Sequence, residues 1–152
     1  MANLSHELLT ALDVDESCDL DAIIARRDPD DFDALRRLLT RDPAVNPRQR
    51  ARAVYALGRW GDPSVVDDIR ALLPELDREG RIGAIDALGR LGTEAALDGI
   101  LTHAGDPSVP VRTFVTRALG RIATPRAEAE LRELARTDPS ERVRSLAEAQ
   151  LA

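Results

Sequence analysis

Lysine is absent from this chain: all 21 basic residues are arginine, which reads as the base composition of a GC-rich genome rather than as function. There is one cysteine, Cys18, so no internal disulfide can form. The two histidines, His6 and His103, and that single thiol stand far apart at no metal-ligand spacing, so neither a metal nor a cofactor is expected. No glycine-rich phosphate loop and no Ser-His-Asp set occurs, and the plentiful carboxylates are not marked as an acid-base pair. The chain is therefore read as non-catalytic. Aromatic residues make up only 3%, which disfavours a sheet core of bulky β-formers and favours closely spaced helices. No apolar run reaches membrane-spanning length. The start, Met1-Ala2-Asn3-Leu4, has neither a basic segment nor an apolar stretch, and the expectation is a cytoplasmic protein. Formal net charge is -6 with pI near 5.0. Since affinity for nucleic acid comes largely from neutralising phosphate, this balance argues against it as a partner.

What is there is repetition. Ala56-Leu57-Gly58-Arg59 returns as Ala87-Leu88-Gly89-Arg90 and again as Ala118-Leu119-Gly120-Arg121. Each copy ends one apolar-periodic run and is followed by a turn and a second run, so the repeating unit is a helical hairpin. The first helix of each unit, the A helix, is predicted over 48–60, 80–91 and 110–122. The second, the B helix, is predicted over 64–76, 94–104 and 125–136, with stripes such as Val65, Ile69 and Leu72. Gly61 and Gly92 sit where a left-handed cap is wanted, and Ala123 departs from that rule.

Before these units come a short helix over Leu4 to Leu12, with Ser5 as N-cap, and a run over 18–27 ended by Asp28-Pro29. A further stripe follows from Asp30 to Arg41. The expected division is one domain: a cap over 1–17, a degenerate repeat over 18–41, repeats over 42–76, 77–104 and 105–136, and a half repeat over 137–152. A lone hairpin cannot bury its stripe, so neighbours must stack on a shared core. The small residues Ala56, Ala87 and Ala118, with Gly58, Gly89 and Gly120, mark the tightest approach. Trp60 shares its register with Leu91 and Ile122 and is expected in the core.

The unit Asp-Pro-Ser-x-x-Val-Arg followed by Ala-Leu-Gly-Arg resembles the HEAT repeat, in particular the short HEAT-like repeats of phycobilisome lyases, over about residues 18–152. The resemblance implies an all-α fold, a right-handed α-solenoid of stacked hairpins with A helices outside and B helices on the concave face. It implies a protein-binding or assembly scaffold more than a chemistry. A bilin lyase-like accessory subunit is the alternative, and a nucleic-acid-binding HEAT-like protein a weaker one. Deoxyhypusine hydroxylases, which are HEAT-like enzymes, hold di-iron through several His-Glu pairs, and His6-Glu7 is a single such pair.

Three groups of residues are singled out. Arg50, Arg81, Arg112 and Arg144 recur at the second position of the A helices and are read as a structural ladder, each guanidinium bridging to a turn carboxylate such as Asp106 or Asp138. Asp33, Asp67 and Asp98 share one B-helix register, and Asp68 and Glu130 occupy the next. They form an acidic column facing a protein partner, for which a basic segment is the fitting chemistry. Tyr55 stands at a register held by Asp86 and Arg117 and is expected to be exposed, as a candidate contact. The last A helix, with Val143, Leu146 and Leu151 uncovered by a B helix, is a candidate surface for self-association.

Overall fold

In a computed structural model the described residues are 5–13 and 17–152. Leu4 and the side chain of Cys18 lie outside them. The described residues form α1 (His6–Asp13), α2 (Ser17–Arg26), α3 (Pro29–Arg37), α4 (Pro47–Trp60), α5 (Val66–Leu72), α6 (Arg78–Leu91), α7 (Glu94–Leu101), α8 (Val109–Ile122), α9 (Pro125–Thr137) and α10 (Glu141–Leu151). No strand occurs among them. The chain is a HEAT-like helical solenoid in which α4, α6, α8 and α10 form the A layer and α3, α5, α7 and α9 the B layer. Helix α1 packs on α2 and α4 at the N-terminal end.

The helices begin where short polar side chains satisfy the first free N–H groups. Asp28, Asn46, Asp77, Thr93 and Thr124 each accept from a backbone N–H two or three residues on. Ser5 Oγ does the same for Leu8 at 3.2 Å. The A helices stop in left-handed caps at Gly61 and Gly92, with φ of 78° and 68°. Ala123 adopts the same conformation at φ 51°, although a Cβ makes it unfavourable. The turn therefore follows from the packing of the hairpin, and glycine only eases it.

The B layer differs from its expected bounds. The predicted helix over 64–76 is a 3₁₀ turn at Pro63–Val65, the seven residues of α5, and a second 3₁₀ turn at Leu73–Glu75. Pro74 has no N–H to give to an α-helical bond, so the last turn tightens. Helix α3 stops at Arg37, short of Arg41, and α7 stops at Leu101, short of residue 104, where Thr102 Oγ1 turns back to the Gly99 carbonyl at 2.7 Å.

The core runs the length of the stack. Leu57, Leu88 and Leu119 are wholly buried, as are Ile69, Leu97 and Ile100 from the B layer. Trp60 is buried with its ring 5.5 Å from Phe32. Spacing within the A layer is set by backbone. A Cβ built on Gly58 would lie 2.7 Å from Ala87 Cβ, and one on Gly89 the same distance from Ala118 Cβ. At Gly120 the Gln150 side chain of α10 fills the space a Cβ would need. Helix α10 thus stacks on α8 as a further A helix while also packing on α9. Val143 is consequently fully buried rather than presented at the end, and only Leu146 and Leu151 stay half-exposed.

Candidate functional site: the arginine ladder and the charged B face

Each A helix delivers one arginine from its first turn toward the turn that precedes it. Arg112 donates to the Asp106 carbonyl at 2.8 Å, Arg144 to the Asp138 carbonyl at 2.7 Å, and Arg81 to the Leu76 carbonyl at 2.9 Å. Arg50 reaches the Asp42 carbonyl at 2.8 Å. Two of them also engage the carboxylate of the next turn. Arg112 forks onto Asp138 through Nε and Nη2 at 2.8 and 3.0 Å, with both side chains buried. Arg81 Nε lies 3.1 Å from Asp106 Oδ2, close enough for an ion pair but off the N–H direction of a hydrogen bond.

The Arg112 guanidinium is held above its usual range by the Asp138 hydrogen bonds. At Asp138 burial works to raise the pKa, yet the Arg112 hydrogen bonds and the Ser140 N–H outweigh it and leave the carboxyl below its ordinary range. At Asp106 and at Asp138 the turn thereby ties one hairpin to the next.

The carboxylates of the B face are spread over three clefts rather than gathered at one point. Asp33 and Asp68 line one of about 360 Å³ with Arg36 and Arg37. Asp67 lines the next, about 380 Å³, beside Arg70 and His103. Glu130 lines a third, about 490 Å³, with Glu133 and Asp138. Arginines bridge much of the column. Arg36 Nε donates to Asp68 at 2.7 Å, Arg70 pairs with Asp67 at 3.1 Å, and Arg126 reaches Asp98 at 2.6 Å and Glu94 at 3.4 Å. The expected stack of like charges is therefore a ladder of alternating sign. Asp33 and Glu130 have no ion pair among the described residues.

Tyr55 is half-buried against the core with the Arg59 guanidinium 5.7 Å from its ring centre, which corrects the expectation of an exposed aromatic. The A layer remains the basic one. Because α6 begins at Arg78, Glu79 joins Asp86 as an acidic residue on the three longest A helices. His103, placed by the sequence at the end of a helix, lies in the turn after α7 with Nδ1 3.4 Å from Asp106 Oδ2. Among the described residues no group of three or more His, Cys, Asp and Glu side chains could hold a metal ion. No helix among them is long and apolar enough to cross a membrane.

A family model described as HEAT repeats matches residues 44–103 and 71–152. The chain belongs to the HEAT repeat family. Its ladder arginines and Ala-Leu-Gly-Arg motifs fall within or beside the matched repeats, whereas α1 to α3 precede the match. No curated protein matches the sequence. Among solved structures, the complex of CpcE and CpcF of phycocyanin lyase from Nostoc sp. PCC7120 contains a chain similar to this HEAT repeat protein, with a TM-score of 0.67. Identity is 20%, over 95% of this chain and 99% of that one. The likeness is one of fold.

Proposed function

We propose that this protein is a non-catalytic interaction or assembly module that takes a partner protein on its B-helix face, the concave face in the HEAT-like arrangement. The observation that carries the reading is the row of three clefts, one between each pair of neighbouring hairpins, with Asp33 and Asp68, Asp67, and Glu130 at their rims. Neighbouring helices in such a stack lie about 10 Å apart, and an extended chain advances about 3.3 Å per residue. A basic segment with a cation at every third residue would therefore meet one cleft per cation. Asp98, bridged by Arg126 between the second and third clefts, completes the column. Tyr55 is a subsidiary contact at the edge of the A layer.

The test is fluorescence anisotropy with a labelled peptide made of Arg-Ala-Ala repeats, compared with the same composition in scrambled spacing. Binding that weakens with salt, and that is lost in Asp33→Arg/Glu130→Arg with the helical circular dichroism intact, supports the reading. The pair Asp67→Arg/Asp98→Arg should weaken binding as well. Equal affinity in all variants would remove the carboxylate row as the site.

A second reading is prompted by the structural match: an accessory subunit of a lyase-type complex, assembled with a second subunit. Mixing purified protein with bilin and following the absorbance band separates it from the first, and a gel shift with DNA does the same for a nucleic-acid role. Self-association through the half-exposed Leu146 and Leu151 of α10 is a narrower proposal. Light scattering that gives a monomer mass at every concentration would remove it.

A further inference from the structure

One rung of the arginine ladder is empty. Three buried side-chain atoms among the described residues lack a hydrogen-bond partner: Asp21 Oδ1, Arg81 Nε and Arg50 Nε. The first two have an opposite charge at 3.3 and 3.1 Å, from Arg59 and Asp106. Arg50 has none. Its one hydrogen bond goes to the Asp42 carbonyl, and no carboxylate among the described residues lies within ion-pair distance of it. The register that supplies Asp106 to Arg81 supplies Glu75 here, and Glu75 is turned to Arg41 at 3.0 Å.

Arg50 lines a cavity of about 470 Å³ between the first turns of α4 and α6. The cavity exists because the facing helix, α6, is short of side chains at its start. Where the next unit has Val111 and Phe114, this one has Gly80 and Gly83, and a Cβ added at Gly83 would meet nothing within 4 Å. Val54, Ala51 and Leu76 supply apolar wall. The acidic groups nearby are already engaged. Glu75 pairs with Arg41, Glu79 with Arg78 at 2.8 Å, and Asp77 caps the Gly80 N–H at 2.8 Å.

We propose that this cavity receives an acidic side chain carried on an apolar segment of a partner protein, the carboxylate standing to Arg50 as Asp138 stands to Arg112. Charge and shape both point to that occupant. A buried guanidinium nitrogen without an acceptor is costly and is relieved by a forked carboxylate. The glycine-lined space is where an aromatic or branched side chain belongs in the neighbouring repeat. The segment thus imitates the two features that this rung lacks. Glu75, which lines the cavity, and Arg41 are both exposed, so their pairing is weak. This site is on the A layer and is independent of the B-face reading.

The full chain, labelled with ¹⁵N, gives a direct readout in the Arg50 Nε–H cross-peak, assigned by its loss in Arg50→Lys. The probe is the blocked peptide Phe-Ala-Asp-Ala-Phe, with its Asp-to-Asn counterpart and sodium acetate as controls. The expected result is a saturable shift of that cross-peak with the aspartate peptide, and binding about tenfold weaker with the asparagine peptide. Gly83→Leu should abolish the shift while keeping a dispersed amide spectrum. If it fails to fold, Ala51→Leu narrows the same cavity from α4.

No shift with the aspartate peptide overturns the proposal. So does an equal response to acetate, which would make the site one for a small free carboxylate. A cross-peak that already moves in Glu75→Gln without peptide, with no peptide response in the parent, also overturns it, because Glu75 would then complete the rung from within.

Discussion

The two layers of this solenoid are held together by different means. In the A layer, α4, α6 and α8 are each 14 residues long and stack closely side by side. Glycine lies against alanine, and one arginine fork, Arg112 on Asp138, is buried at a turn. In the B layer, α5 and α7 have seven and eight residues, and neighbouring helices touch far less. There the bridges are arginine side chains crossing from one repeat to the next, as Arg36 does to Asp68 and Arg126 to Asp98. Backbone-limited contacts fix the repeat spacing within tenths of an ångström. Long, half-exposed side chains tolerate change and leave clefts between helices. Spacing is thus set mainly in the A layer, while the B layer leaves room between its outer side chains.

The strongest way to break this division is at the buried rung. Arg112→Met leaves Asp138, whose side chain is 2% exposed, without its partner, and should cost about 3–5 kcal/mol in urea denaturation. The double variant Arg112→Met/Asp138→Leu should recover much of that loss, since the uncompensated charge is gone. The rung also predicts an acid limb. The folded pKa of Asp138 is below the unfolded value of 3.8, so its contribution is full above that value and is lost as pH falls through the lower folded one. Asp138→Asn should therefore flatten the loss of stability below about pH 4. An unchanged acid limb would assign it to other carboxylates.

Next in size is the contrast between glycines of the two layers. Gly58→Ala brings a Cβ to 2.7 and 2.8 Å from Ala87 Cβ and Cα, which can give way only by moving a helix. The expected cost is about 1–3 kcal/mol. Gly99→Ala in α7 meets Arg70 Cγ at 2.9 Å and Leu88 Cδ1 at 3.2 Å. The nearer contact is the partly exposed Arg70 side chain, which can shift, and alanine is also the better helix former by about 1 kcal/mol. The two substitutions should differ in thermal midpoint, with the A-layer variant clearly lower. Equal losses would mean that both layers set the spacing.

The A layer was also the more legible in the sequence, and for the same physical reason. Backbone-limited contacts demand one residue type at one register, so Ala56, Gly58 and their later copies repeat without drift, and Trp60 could be placed in the core by register alone. The B layer hid its partners. Asp68 and Asp98 read as an acidic column because Arg36 and Arg126, which neutralise them, come from other repeats 32 and 28 residues away in the chain. No local window pairs them. Arg50 looked like every other ladder arginine, and its empty rung depends on which way Glu75 turns, a choice that spacing does not encode. Val143 is expected to be uncovered because α10 has no following B helix, yet α10 packs on both α8 and α9 and Val143 is buried.

A smaller effect is expected at the A-helix caps. Ala123 holds φ of 51° where Gly61 and Gly92 hold 78° and 68°. A side chain there costs about 1 kcal/mol or somewhat more, so Ala123→Gly should stabilise the chain by about that amount, less any loss from the greater freedom of the unfolded glycine. Chemical denaturation decides it. A destabilised variant would show that the Ala123 methyl contributes packing that outweighs its backbone strain.

The smallest effect on stability is expected from the arginines of the B layer, and it separates the layers most sharply. Arg36 and Arg126 are exposed and pair across repeats with Asp68, and with Asp98 and Glu94. Exposed pairs gain little over hydration and are screened by salt. Arg36→Gln and Arg126→Gln should leave the unfolding midpoint where it is, in contrast to Arg112→Met. Each nevertheless removes a cation from the rim of the carboxylate row, so the face becomes more negative at Asp68 or Asp98. Affinity for the Arg-Ala-Ala peptide should rise about two- to fivefold at low salt and fall more steeply as salt is added. A variant that loses stability and gains no affinity would make these arginines structural, and the B face would then be a second, looser ladder rather than a surface for a partner.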